Sequence, residues 1–239
     1  MMNNNQETQI ETKKEEPKQG LLLTYADMMT LLFAFFVMMY SMSSPDPVKM
    51  SQIQDGMLKE AGKEGTIQSQ HEIKQEFEEI VEDLDIQDVA NVIEDPRGVA
   101  LEMDGDICFR SGSTEIKSTL KAVLNKAAKK ILTNKKDYRM VIIEGHTDNA
   151  PIPKHLKEIY PTNWELSAAR ASNVVNYLIK KSVNSGRLQA SGYADRWPAR
   201  VSWYDVRSGK VNDKIIIEQN KTQAQMQKNR RIKIVFTNN

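Results

Sequence analysis

Residues 21–42 read LLLTYADMMTLLFAFFVMMYSM. Eighteen of these 22 side chains are apolar and one, Asp27, is charged. As an α-helix rising about 1.5 Å per residue the stretch covers about 33 Å, enough to cross a bilayer once. It lacks a cationic flank immediately before it and ends in Ser43-Ser44-Pro45 without a small-x-small cleavage pattern, so it reads as an uncleaved anchor rather than a signal peptide. The rest of the chain has another character. Over 239 residues, 33 basic side chains face 32 acidic ones, and the mean hydropathy is −0.54. The near-neutral balance argues against nucleic acid as a partner. The average excludes a protein that crosses the membrane many times, and a single cysteine excludes an internal disulfide.

Working outward, residues 1–20 are almost entirely polar and read as a disordered cytoplasmic tail. Residues 21–43 form the expected transmembrane helix. Residues 44–64 open on Pro45 and Pro47 and then place Met50, Ile53, Met57 and Leu58 at helical spacing, a short amphipathic segment. Residues 65–94 read as a linker helix through Ile73, Phe77, Ile80, Val81 and Leu84, and residues 95–239 as a compact domain. Three lysines before the span and two in residues 41–60 barely orient it. A short tail before it and a large polar part after it fit an N-terminus inside and a domain outside, facing away from the cytoplasm.

Within the domain, residues 99–103 and 107–109 flank Asp104-Gly105, a hairpin signal. Residues 117–132 and 164–179 carry helical periodicity, and residues 138–144, 188–193 and 232–236 read as strands. This alternation predicts an α+β domain, a mixed sheet with helices packed on one face. Residues 200–221, with Trp203, Tyr204 and the run Ile215-Ile216-Ile217, read as an added strand or hairpin.

Asp27 is the only charged residue between Lys18 and Asp46. A carboxylate in a span costs about 2.5 to 3.5 kcal/mol on insertion scales. Gly20, Thr24, Asp27, Thr30, Ala34 and Ser41 share one small or polar stripe, the kind of face that packs on other protein. One reading is an acidic residue solvated near the helix end. The other is an ion carrier, because a membrane potential supplies about 2.3 kcal/mol per charge per 100 mV, comparable with that cost. A single span lines no pathway alone, so this reading requires further chains.

The domain carries Glu144-Gly145-His146-Thr147-Asp148-Asn149 before Ala150-Pro151-Ile152-Pro153, and Arg170 within Asn163-Trp164-Glu165-Leu166-Ser167-Ala168-Ala169-Arg170-Ala171. From the residues alone, Asp148 and Arg170 could be a surface salt bridge of little worth. Together with Ala190-Ser191-Gly192-Tyr193 and Asn229-Arg230-Arg231-Ile232, however, these strings resemble the OmpA-like peptidoglycan-binding family. The form with Pro151-Ile152-Pro153 and Asn163-Trp164-Glu165-Leu166 is similar to the MotB family of flagellar stator subunits. The membrane string Tyr25-Ala26-Asp27-Met28-Met29-Thr30 with Phe35-Phe36 resembles that family too.

The resemblance implies a homodimer within a ring of four-span MotA-type subunits, in the cell membrane, with the C-terminal domain facing the cell wall. Ions would pass at Asp27, with Thr24, Tyr25 and Thr30 supporting the channel, and torque would reach the flagellar rotor indirectly through the partner. The Tyr25-Ala26-Asp27 string leans toward protons, with sodium left open. Residues 44–64 would plug the channel, a flexible linker being the alternative. In the domain, Asp148 would receive the ammonium and Arg170 the carboxylate of the diamino acid in the peptidoglycan stem, with Thr147 and Asn149 supporting and Arg230 a further candidate. Residues 200–221 depart from the family's pattern and leave the position of Arg230 relative to the ligand open.

Other chemistries lack their residues. His71, His146 and His155 stand without H-E-x-x-H or C-x-x-C, so no metal site is expected, and no phosphate-cradling or nucleophile-elbow motif occurs. His146 near Asp148 has no nucleophile or metal beside it, so an enzyme is not expected, nor a cofactor. Cys108 reads as a buried, inert thiol in an apolar strand. The alternatives are a passive wall tether without ion conduction and an energy transducer of the TolR or ExbD kind. Asp27 disfavours the first, and the Asp148 and Arg170 strings disfavour the second.

Overall fold

The structure, a computed structural model, describes residues 18–42, 68–110 and 112–238. The chain divides into two units. Among the described residues the first contains one helix, α1 (Lys18–Met42), which starts three residues earlier than the tail and span boundary read from sequence. No helix breaker interrupts it, and its hydroxyls are satisfied by the helix itself. Thr24 Oγ1 donates to the carbonyls of Gly20 and Leu21 at 3.1 and 3.0 Å, Thr30 Oγ1 to Asp27 O at 2.8 Å, and Ser41 Oγ to Val37 O at 2.9 Å. Every side chain from Gly20 to Ser41 is exposed, and this segment is long and apolar enough to cross a membrane. The segment read as an amphipathic plug, 44–64, lies outside the described residues, as does most of the tail.

Among the described residues the first element of the second unit is α2 (Gln70–Asp83), closed at its N-terminus by a reciprocal Ser69 and Glu72 capping box. Next come β1 (Ala90–Asp95), β2 (Gly98–Asp104), a helical turn α3 (Gly105–Cys108) and α4 (Ser118–Ala127), which runs into a π-turn at Ala128–Leu132. β3 (Val141–His146), α5 (Lys154–Lys157), α6 (Asn163–Lys180) and β4 (Leu188–Gly192) follow. The chain then passes through α7 (Trp203–Arg207), α8 (Asp213–Glu218) and α9 (Gln223–Asn229) into β5 (Arg231–Thr237). The sheet order is β1-β2-β5-β3-β4, antiparallel except for the parallel β3–β4 pair.

Period-two alternation sorts the sheet into an apolar and a charged face. Val99, Leu101 and Met103 of β2, Val141 and Ile143 of β3, and Ile232, Ile234 and Phe236 of β5 join one core with side chains of α2, α4 and α6. The mixed sheet with helices on one face is therefore as read. The linker reading of 65–94 is corrected. Ile73, Phe77 and Ile80 of α2 are fully buried in this core, and residues 90–95 form an edge strand. The helical period was visible, but what it packs against was not.

Three further readings change. The hairpin turn is Pro96-Arg97, joining β1 to β2, with Gly98 at φ +151° where an added Cβ would lie 2.1 Å from Phe236 O. Asp104-Gly105 makes no hairpin. Gly105 instead starts α3 where the backbone crosses Arg230, and its N–H donates to Arg230 O at 2.6 Å. Cys108 therefore sits in a helical turn, not a strand, although it is buried as expected and burial pushes its thiol up. Residues 200–221 add short helices, not a strand, because Asn212 caps Ile215-Ile216-Ile217 into α8, leaving only Ile216 buried.

The opposite sheet face carries buried charge. Arg97 donates to Asp95 (2.7 Å) and to Glu144 (2.5 Å), and Lys233 Nζ lies 2.7 Å from Asp95. Burial would raise the carboxyl pKa values, but these cations, with His146 beside Glu144, bring Asp95 and Glu144 down to about 2. His146 stacks on Tyr193 (5.3 Å) and meets Trp197 edge-on (5.6 Å). Its Nε2 is 3.8 Å from Glu144, beyond hydrogen-bond reach. Burial, helped by the charge of Arg231, lowers its pKa to about 3, so the ring is neutral.

Phe77→Ala should cost the domain about 3 to 5 kcal/mol if α2 is core rather than linker; an unchanged melting temperature of the full chain would return α2 to the linker. For these groups the unfolded chain takes up protons at higher pH than the folded one. Stability should thus be full above the ordinary histidine value of 6.5 and fall as His146 lags toward about 3. Glu144 and Asp95 add to the loss from their ordinary values of 4.5 and 3.8 toward about 2. Melting temperature against pH measures this, and His146→Gln should flatten the slope between about pH 6.5 and 4.5.

Candidate functional site

β3 runs out at His146, and the chain turns through Thr147, Asp148 and Asn149. Three neighbours fix this turn. Thr147 N–H donates to Ala194 O at 2.9 Å, Asn149 N–H to Asn220 Oδ1 at 3.3 Å, and Asn163 Nδ2, at the first residue of α6, reaches the carbonyls of Asp148 (3.2 Å) and Ala150 (3.1 Å). Ala194 is buried and held at φ +50°, a conformation costly for a side-chain-bearing residue. Its N–H donates to Ser167 Oγ at 3.1 Å, so α6 imposes that conformation.

α6 can do this because it lies against the strands at two glycines. A Cβ on Gly145 would sit 2.2 Å from Ser167 O, and one on Gly192 2.6 Å from Ala168 N. The same helix, begun by a Thr162 and Glu165 capping box, carries Arg170 one turn beyond Ser167. Position on this tightly seated helix is what brings Arg170 to the strand-end loop.

Asp148 is nearly buried. Its Oδ1 accepts from Ala150 N at 3.1 Å, and its Oδ2 takes Arg230 Nη1 at 2.6 Å. Arg170 is not its partner. Arg170 Nε donates to Ser113 O at 3.2 Å, and its guanidinium lies over Phe109 at 5.1 Å. Among the described residues its two terminal nitrogens have no hydrogen-bond or ion-pair partner. Burial lowers its pKa, with the nearby charges of Asp106 and Asp148 acting the other way. The simple salt bridge between Asp148 and Arg170 is thus not formed.

Of the other candidates, Thr147 is buried with an unpartnered hydroxyl, and Asn149 is held through its backbone. Arg230, whose position the sequence left open, stands on Asp148 itself. Asp106 was not singled out in the sequence, yet it binds Arg230 with both oxygens. Only the chain crossing at Gly105 brings it there. Asn220 was also missed: its Oδ1 takes Asn149 N and Asn229 Nδ2, so the departing segment 200–221 ends by bracing the site loop.

A cleft of about 370 Å³ opens here, lined by Asp106, Phe109, Arg110, Lys117, Arg170 and Arg230 among others. It offers cations for an anion, beside the carboxylates of Asp106 and Asp148. Among the described residues no cluster of histidine, cysteine or carboxylate groups could hold a metal ion. In the other unit, Asp27 has no side-chain partner among the described residues, and Thr24 and Thr30 bond their own helix.

The family model described as "OmpA family" matches residues 108–214, and the one described as "Membrane MotB of proton-channel complex MotA/MotB" matches residues 7–60. The uncharacterized protein YtxE of Bacillus subtilis (strain 168) is 28% identical over 94% of this chain and 90% of its own. Motility protein B of the same organism is 23% identical over 93% of this chain and 92% of its own. A solved structure described as a putative MotB like protein from Desulfovibrio vulgaris shares the fold, with a TM-score of 0.56 at 20% identity over 71% of this chain and 91% of that one. With the two models in the order of the two units, and a mixed sheet carrying the expected strings, the chain is similar to MotB-type proteins along its length and its C-terminal part to the OmpA family.

Proposed function

We propose that the chain is an ion-conducting stator subunit that holds its assembly to peptidoglycan. The observation that carries the wall-binding half is the guanidinium edge of Arg170 beside Asp148, unclaimed among the described residues. A half-buried cation with open donors calls for an anion, and a planar carboxylate fits a guanidinium fork. Asp148 offers the opposite charge, so the pair suits a ligand end carrying both ammonium and carboxylate, as a stem diamino acid does. Thr147, with its free hydroxyl, and Asn149 stand next to that carboxylate. The activity is binding rather than catalysis.

The conducting half rests on Asp27, a lone carboxylate in an otherwise apolar helix exposed along its whole length. Such a surface is stable only in lipid or against other chains. The match to the MotB model over residues 7–60 supports a second copy and a four-span MotA-type partner as those chains, with protons as the ion and residues 44–64 as a plug. The N-terminus would lie in the cytoplasm and the domain outside, with the rotor driven through the partner.

Full-length protein should cosediment with purified cell-wall sacculi, and Asp148→Asn or Arg170→Gln should each reduce that by about tenfold or more; undiminished binding in both rejects the site. Asp27→Asn should leave insertion and wall binding intact while abolishing stator-dependent motility and uncoupler-sensitive ion flux. Retained motility in that variant would leave the passive tether as the better reading, and sodium-dependent flux would replace the proton.

A further inference from the structure

Arg230 serves two carboxylates at once. Nε and Nη2 donate to Asp106 Oδ1 (3.2 Å) and Oδ2 (2.8 Å), a fork closed on one carboxylate, while Nη1 makes the single 2.6 Å bond to Asp148 Oδ2. The arrangement is built into the chain. Gly105 N–H donates to Arg230 O at 2.6 Å, and a Cβ at Gly105 would lie 2.9 Å from that oxygen, so the backbones bearing Asp106 and Arg230 are pinned at a crossing. The two acids differ in setting: the Asp106 side chain is 55% exposed and that of Asp148 only 10%.

An ammonium group arriving at Asp148 therefore meets a carboxylate oxygen already occupied by a cation. Arg230 must yield that oxygen, and Asp106 lets it do so cheaply. Giving up one bond of three, the guanidinium keeps its fork. We propose that Asp106 is a positioning residue that holds Arg230 as an exchangeable counter-ion of Asp148, so that the site admits ligand ends bringing their own ammonium. The proposal rests on the wall-binding reading of Asp148 and Arg170. With Asp106 neutralised, Arg230 has Asp148 as its remaining carboxylate and closes on it, and the incoming ammonium must displace the whole guanidinium.

The probes are a soluble stem tripeptide ending in diaminopimelate with a free amine, and the same peptide with that amine acetylated, titrated calorimetrically into detergent-solubilised full-length protein. Asp106→Asn should weaken the free-amine peptide about tenfold without moving the melting temperature. Arg230→Gln alone should bind it at least as tightly as the parent, and Asp106→Asn added to Arg230→Gln should cost nothing further. The acetylated peptide should bind weakly to every form. Unchanged binding in Asp106→Asn overturns the proposal. So does an equal loss in the Arg230→Gln background, which would make Asp106 a through-space field, or an Arg230→Gln variant as weak as Asp148→Asn, which would put Arg230 on the ligand. If Asp148→Asn itself binds normally, the wall-binding reading fails and takes this proposal with it; if Asp148→Asn loses binding while Asp106→Asn keeps it, only the counter-ion role fails.

Discussion

The seating of α6 on β3 and β4 governs the domain. Backbone meets backbone at Gly145 and Gly192, closer than any side chain would allow, and Ser167 fills the seam. From that contact follow the strained Ala194, bonded to Ser167, and the turn at Thr147, bonded to Ala194. The register of Arg170 against Asp148 follows as well. The charged pair is kept apart by rigid elements rather than by its own chemistry. Two opposite charges free to move would neutralise each other; here the scaffold holds them apart, and among the described residues one guanidinium edge stays open.

The sheet divides its labour between its faces. One face is an ordinary apolar core. The other buries Asp95, Glu144, Lys233 and Arg231 in a set linked through Arg97 and Glu102, with the neutral His146 sealed under Tyr193 and Trp197. Such a layer gives less stability than apolar packing but penalises mispairing, since any register slip would strand a buried charge. It begins one residue before the Thr147 turn.

Much of this was legible in the sequence, for definable reasons. The long apolar helix shows in composition alone, and α6 and β5 show through strong periodicity. Asp148 and Arg170 stand out because their strings are local. What stayed hidden depends on partners distant in the chain. The spacing of Ile73 and Phe77 announces a helix but not the sheet beneath it, so α2 read as a linker. Asp104-Gly105 has turn chemistry, yet that glycine serves a crossing with Arg230, more than a hundred positions later. Asp106 and Asn220 matter only through that crossing and through the Asn149 backbone, and no local signal marks either.

The order of the strands carries one more consequence. β5, which follows every other element in the chain, lies at the centre of the sheet between β2 and β3. Until it arrives, β1 and β2 form a lone hairpin, β3 and β4 a lone parallel pair, and Arg230 is absent from Asp148. Long-range closure of this kind is slow. During synthesis, then, the surroundings of Asp148 stay incomplete until the segment bearing Arg230 and β5 has been made.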